Sequence, residues 1–320
     1  MIARFDEGLI IDTAVTRERL QTALAGLWLL DGLLQLQPYM FTENFADQTI
    51  ASTAQGSPGW VGHPVTWAAR EIGGHAIAAN TLFALIQIAL GLGIAHRRTR
   101  RVALGCSIVW AGGVWLFGEG LGGLFTGNAN PLTGAPGSAL LYSITAILIW
   151  PVRKCDDRFA SAGLLGTRGA RSLWTVLWGV LAYLTLLPAN RAPGAFVVAM
   201  TGGMMSVGEP HWYTGIQDHL ARLTIGHDTT IAIVLALVLA VIAVSVWARV
   251  SAIVRAGLAA AIVVGLVYWV CGQAFGMPFM GMATDPNSGP LLALIALAFW
   301  PTALTESARA TLTAPQGVAA

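Results

Sequence analysis

Long apolar runs alternate with short polar segments along most of this 320-residue chain. A helix that crosses a lipid bilayer takes about 20 mostly apolar residues, and eight of the runs approach or reach that length. The pattern therefore predicts eight transmembrane helices, at roughly 20–38, 76–95, 102–125, 137–151, 173–188, 229–247, 256–278 and 289–304. The fourth and eighth runs are short and end in Trp-Pro, where Trp favours the membrane interface and Pro stops the helix.

The second half of the chain repeats the residue pattern of the first half. Four residues recur 152 positions later, namely Trp60/Trp212, Arg70/Arg222, Gly74/Gly226 and His75/His227. Each half holds four helices, an even number, so both halves enter the membrane in the same direction. We predict an all-α polytopic membrane protein built as two parallel four-helix repeats. Its segments are 1–19 (N-terminal), 20–151 (first repeat), 152–172 (linker), 173–304 (second repeat) and 305–320 (tail).

Composition supports a membrane protein. Hydrophobic residues make up 55% of the chain and charged residues 11%, and the mean hydropathy is +0.66. A soluble protein has about 25% charged residues, so this chain has too few to cover a water-exposed surface. We expect the lipid bilayer as its main partner and no nucleic-acid partner.

The basic residues predict the orientation in the membrane. Fifteen of the 18 Lys and Arg residues fall on one side if the N-terminus is inside, and only Arg70, Arg191 and Arg222 fall on the other. Such a bias places both termini in the cytoplasm of a multi-pass protein of the plasma (cytoplasmic) membrane. Residues 1–19 are polar and lack the pattern of a cleaved signal peptide, so we expect the first helix to be retained.

Two long outer connections, 39–75 and 189–228, are each expected to carry a short interfacial helix. The first is predicted from Pro64 to Ile72 and the second from His211 to Leu223. Their repeated residues have two interpretations, both of which stay open. In one, Trp and Arg form an interfacial belt for lipid. In the other, the repeated side chains line an outward-facing ligand site, with Arg as cation and donor and His as proton relay. The candidate binding residues are Trp60, Arg70, His75, Trp212, Arg222 and His227.

Two acids fall within or at the ends of predicted membrane helices. Asp31 lies in the first helix, with Gln35 one turn further along, and Glu119 lies near the outer end of the third. Acids inside a membrane are costly and generally mark a functional polar group or a structural hydrogen bond. The second repeat has Leu181 and Gln273 at the matching positions, so we predict that only the first repeat handles protons. Gln273 is expected to bind ligand.

The outer half also holds most of the methionines and histidines. Met277, Met280 and Met282 have a loosely chelating spacing that would suit copper, although methionine more often fills gaps in packing. Asp285 and Asn287 could bind a cation, but beside Pro and Gly they more often form turns. The three cysteines form no CxxC pair, which gives no support to a thiol redox centre.

The segment from Leu27 to Pro38 has the sequence LWLLDGLLQLQP, and a predicted outer loop and three predicted helices follow it. This arrangement resembles the DoxX/DoxD group of small membrane proteins. That resemblance implies a four-helix unit, and a link to quinone-reactive systems such as thiosulfate:quinone oxidoreductase. Where such proteins often carry a basic residue before the proline, this chain has Gln37.

The leading hypothesis is a subunit or partner of a quinone-linked redox complex that binds a quinone or small anion in an outer cavity. Asp31 and Glu119 would be its catalytic proton-handling residues. The alternatives are a transporter or copper-handling protein, and a non-catalytic assembly protein. No recognised catalytic motif decides whether the chain is an enzyme.

Overall fold

The computed structural model describes residues 15–152, 159–202 and 209–300. Within these ranges the protein is helical and has no β-strand. Several predictions fall outside the described residues. They concern residues 1–14 of the N-terminal segment, residues 153–158 of the linker with Cys155, and Met204, Met205 and the tail.

The first helix group contains five α-helices in the described chain. They are α1 (Arg17–Leu34), α2 (Gly59–Gly74), α3 (Ala76–Ala95), α4 (Arg100–Phe117) and α5 (Ser138–Leu148). Thr16 caps the N-terminus of α1 by accepting a hydrogen bond from the backbone N–H of Arg19 at 3.2 Å. Helix α1 packs along α3, and α4 packs along α5.

The second helix group contains six α-helices in the described chain. They are α6 (Gly166–Thr185), α7 (Ala195–Thr201), α8 (His211–Thr224), α9 (Asp228–Ser245), α10 (Ser251–Cys271) and α11 (Ser288–Ala298). Helix α6 packs along α9, and α10 packs along α11, so the pairing of long helices has the same order as in the first group. The two groups join mainly where α5 packs against α11.

Among the described residues, three helices are long and apolar enough to cross a membrane, namely α3, α9 and α10. Large apolar side chains on the outside of the bundle, such as Leu85, Leu237 and Val263, are more than half exposed. An apolar surface of this extent is unfavourable in water and favourable in lipid. The central helices α5 and α11 have only 11 residues each, about 16 Å, and nearly all of their side chains are buried.

The basic residues of the first group gather at one end of the bundle. Arg97 pairs with Glu18 at 2.8 Å, and Arg100 donates to Gln21 at 3.0 Å. Gln21 in turn donates to the carbonyl of Ile149 at the C-terminus of α5, at 2.7 Å. The described segments of the first group that are predicted to face the cytoplasm therefore lie close together.

Helices α4 and α10 end earlier than the apolar runs predict, at Phe117 and Cys271 rather than near 125 and 278. In each case the chain turns into the left-handed region for four consecutive residues. The φ angles are 53°, 57°, 62° and 67° over 120–123, and 46°, 57°, 81° and 61° over 274–277. A left-handed run cannot continue a right-handed helix, so an apolar sequence here does not mean a helix.

The outer connections carry more structure than predicted. Helix α2 begins at Gly59 rather than Pro64, and Pro64 lies inside it. Before α2, three short helical turns cover 38–41, 45–50 and 51–54, and the second of these is a π-turn. Helix α8 lies where predicted, whereas α7 was not predicted.

We predict that Gly122→Ala destabilises the protein by more than about 2 kcal/mol, because it adds both steric overlap and backbone strain. A Cβ at Gly122 would lie 1.9 Å from the carbonyl oxygen of Pro136, and its φ is +62°. The measurement is thermal unfolding of the purified protein in detergent. Gly26→Ala is the control, since a Cβ there meets nothing within 4 Å and alanine favours the helix. Equal unfolding temperatures for the two variants would contradict this account.

Candidate functional site

A cavity of about 1000 Å³ lies within the first helix group, between α1, α3, α4 and α5. Its lining on α4 runs from Arg101 to Phe117, which corresponds to about 24 Å at 1.5 Å per residue. This length approaches the thickness of the hydrocarbon core of a bilayer, about 30 Å. The walls are mainly apolar and aromatic, with Trp28, Phe83 and Trp110 among the larger side chains. Such a cavity suits an elongated, mostly apolar ligand.

Asp31 lies on the wall of this cavity. It is 2% exposed, and its Oδ1 has no hydrogen-bond partner among the described residues. Its carboxyl group lies near the hydroxyl of Tyr142 on α5, and the ring of Tyr142 packs against Trp28 with 4.5 Å between ring centroids. A buried carboxyl oxygen without a partner is costly, so a ligand that hydrogen-bonds to it would gain binding energy.

Two glutamines add further acceptors to the same cavity. The Oε1 atoms of Gln35 on α1 and Gln87 on α3 are buried and have no partner in the described chain. Behind them, Asn80 donates to the carbonyl of Gln35 at 2.6 Å, which ties the end of α1 to α3. The polar groups of the cavity are therefore held on packed helices rather than on loops.

The two carboxyl oxygens of Glu119 have different surroundings. Its Oε1 accepts hydrogen bonds from the hydroxyl of Ser138 at 2.7 Å and from the backbone N–H of Ala139 at 3.0 Å. These bonds cap the N-terminus of α5, where a carboxylate is also favoured by the helix dipole. Its Oε2 is buried without a partner in the described chain, and the residue lines the cavity.

Gln273 makes the equivalent cap in the second group. Its Nε2 donates to the hydroxyl of Ser288 at 2.8 Å, and its Oε1 accepts from the backbone N–H of Gly289 at 3.0 Å. The side chain is fully buried, both of its polar ends are occupied, and it is not part of the cavity lining. This geometry gives Gln273 a capping role, and ligand binding by Gln273 stays a prediction.

The second group lacks the polar groups that surround the cavity in the first. The matching positions of the second repeat lie 150 to 152 residues further along the chain. They hold buried apolar side chains, except for one threonine. Asp31, Gln35, Gln87 and Tyr142 correspond to Leu181, Thr185, Leu239 and Leu292. The predicted asymmetry between the two halves therefore extends beyond the two acids.

The repeated Arg and His residues do not join this site. Arg70, His75, Arg222 and His227 are exposed, and none of them lines the cavity. Trp60 and Trp212 are also exposed, at 58% and 60%.

The physical reason lies in the outer helices that carry them. On α2, Val61, Val65 and Ala69 form the buried stripe, at the spacing of one helix face. Trp60 and Arg70 lie outside that stripe and are exposed, and the ring of Trp60 packs edge-on against Phe125, with 4.9 Å between ring centroids. Such positions suit the interfacial belt rather than a shared inner site.

Asp285 joins the cavity from a distant part of the sequence, together with Thr284. The predicted turn is present, because its Oδ1 accepts from the N–H of Asn287 at 2.7 Å and its Oδ2 pairs with the hydroxyl of Thr284 at 2.8 Å. Its place in the cavity was missed. One sequence signal was available, since the first repeat has Ala135 at the matching position and the acid is an addition.

The described residues contain no group of three His, Cys, Asp or Glu side chains that could hold a metal ion. Met40 and Met200 are buried in hydrophobic clusters, which is the packing role of methionine. Met277, Met280 and Met282 are partly buried along the last outer loop. Copper binding there stays a prediction.

No protein-family model, curated protein or solved structure matches this chain.

We predict that Glu119→Gln retains the stability of the protein, because glutamine makes this same cap at position 273. Glu119→Ala and Gln273→Ala should each cost about 1–2 kcal/mol, the usual cost of losing a helix cap. Thermal unfolding of the purified variants measures this. If Glu119→Gln were as destabilising as Glu119→Ala, the cap would depend on charge and the comparison with Gln273 would be wrong.

Proposed function

We propose that the chain crosses the plasma membrane eight times as two parallel four-helix repeats, with α2, α7 and α8 on the outer side. Three apolar helices of spanning length and the clustering of basic residues at one end support this proposal. Related hydrogen bonds in the two groups support it further, above all the caps made by Glu119 and Gln273.

A DoxX-like architecture remains part of the proposal. The segment that resembles this family supplies Trp28, Asp31 and Gln35 to the cavity. Its departure at Gln37 has a structural role, because Gln37 donates to the carbonyl of Ala283 in the other helix group at 2.9 Å. The resemblance thus falls on residues that form the site and join the two groups.

We infer that the cavity binds a quinone, as part of a membrane redox complex. The observation that carries this inference is the combination of a long apolar cavity with unpartnered polar atoms from Asp31, Gln35 and Glu119. A quinone has an apolar ring and tail with carbonyl oxygens, and its reduced form has hydroxyl groups. Carboxyl and amide groups can donate to the carbonyls and accept from the hydroxyls.

The lining of the cavity favours a quinone over a small anion. Asp31, Glu119 and Asp285 all contribute carboxyl groups, and the only basic lining residue is Arg101, at the opposite end of α4. A carboxyl-rich polar end would repel an anion. Arg70 and Arg222, which would attract an anion, are exposed and lie outside the cavity.

In this proposal the chain binds the quinone and manages its protons, while a partner subunit supplies or removes electrons. The quinone supplies the redox chemistry when bound. Asp31 and Glu119 each present a carboxyl oxygen that is free to take or give a proton at the polar end. The aromatic walls around Trp28 would orient a planar ring.

A transporter is the second candidate function. The acceptor-rich, carboxyl-lined polar end favours an apolar cation as the cargo, and parallel repeats occur in known transporter folds. Binding of tetraphenylphosphonium in place of a quinone would distinguish this candidate. A non-catalytic assembly role would leave the cavity without a ligand in both assays.

We predict that decylubiquinone quenches the tryptophan fluorescence of the purified protein, because Trp28 and Trp110 line the cavity. Asp31→Leu and Gln87→Leu should each weaken binding about tenfold, the effect of about 1.4 kcal/mol. Arg70→Ala is the matched control and should bind as the wild type does, since Arg70 is exposed outside the cavity. If Arg70→Ala alone reduced binding, the site would lie at the outer helices instead.

We predict that single cysteines at the two ends of the bundle are labelled from opposite sides of the membrane. In a cysteine-free background, Arg98→Cys should react with an impermeant maleimide only after the inner side is opened. Arg222→Cys should react in intact cells, because the proposed topology puts α8 on the outer side. Labelling of both from the same side would overturn the proposed topology.

A further inference from the structure

The polar end of the cavity depends on both helix groups. Thr284 and Asp285 belong to the loop before α11, in the second group, yet they line the cavity of the first. Asp285 lies near enough to interact electrostatically with Asp31, Glu119 and Tyr142. The two groups would therefore share the site rather than each hold a separate one.

A pair of related hydrogen bonds holds the two groups together. Gln37 donates through Nε2 to the carbonyl of Leu34 in its own helix and to that of Ala283 across the joint, both at 2.9 Å. Asn190 donates through Nδ2 to the carbonyls of Leu184 and Ala129, both at 2.8 Å. The amide at the end of α1 thus holds a loop of the second group, and the amide after α6 holds a loop of the first.

The two held loops differ in what they carry. The loop held by Gln37 continues directly into Thr284 and Asp285. The loop held by Asn190 has Gly134 and Ala135 at the positions 150 residues earlier, and neither lines the cavity. The contact between the two helix groups therefore does not require an acid at this position of the loop. The carboxyl group of Asp285 is available for another role.

We propose that the ligand site is a composite one, in which Asp285 contacts the polar head of the ligand and Gln37 is the positioning residue that holds its loop. This inference rests on the proposed quinone site. The carboxyl oxygens of Asp285 each accept one bond from their own loop and have lone pairs to spare. They would accept hydrogen bonds from the hydroxyl groups of a reduced quinone.

The test compares decylubiquinol and decylubiquinone binding to the full chain in lipid nanodiscs. Asp285→Asn should weaken decylubiquinol about tenfold while leaving decylubiquinone within about threefold, because only the quinol donates to the carboxylate. Gln37→Leu should produce the same selective loss. Asn190→Leu, which removes the matching bonds on the other side, should lower the unfolding temperature as Gln37→Leu does and leave quinol binding unchanged. A similar loss of quinol affinity in Asn190→Leu would overturn the positioning role.

A second readout needs no ligand. Val114→Cys places a thiol on the cavity wall of α4 in a cysteine-free background. A cationic methanethiosulfonate should react with it faster than an anionic one, and adding Asp285→Asn or Gln37→Leu should reduce that ratio. If the wild type binds no quinol while the ratio still falls, the composite cavity stands and the quinone proposal fails. A ratio that neither substitution changes would overturn the composite cavity itself.

Discussion

The first backbone N–H groups of two short central helices must find hydrogen-bond acceptors away from water, and this requirement shapes the rest of the structure. Helices α5 and α11 begin inside the bundle, where an unpaired N–H group is costly. Glu119 and Gln273 supply the acceptors. They can reach these N-termini because each lies at the end of a long helix, immediately before a left-handed turn.

The same architecture leads to different chemistry in the two groups. Gln273 uses both of its polar ends in the cap, whereas Glu119 uses one oxygen and leaves the other buried beside a cavity. A carboxyl group therefore satisfies the structural requirement and still has an atom to offer a ligand. The side chains around the two caps differ in polarity in the same way, since the first group has Asp31 where the second has Leu181.

The repeated Trp, Arg and His residues are exposed and do not line the cavity, so a ligand-binding role for them stays a prediction. Their recurrence at a fixed spacing marks the same outer helices in both halves, and the helical spacing of buried residues turns Arg70 and Arg222 outward. A single sequence gives their spacing but not the side of the bundle on which each helix packs. The acids of the first helix group, Asp31 and Glu119, do line the cavity. Burying a carboxyl group is costly and always requires a physical explanation.

Sequence alone predicted the helical content and the places of the long apolar helices, and it singled out Asp31 and Glu119, which both line one cavity in the structure. These features depend on local composition and spacing, which act over a few helical turns. Only the tertiary structure showed that Asp285 lines the same cavity as Asp31, although the two residues are more than 250 positions apart in the sequence. It also showed that Gln37 holds the loop before Asp285 in place. Contacts of this kind arise from the packing of one helix group against the other, which no local pattern encodes.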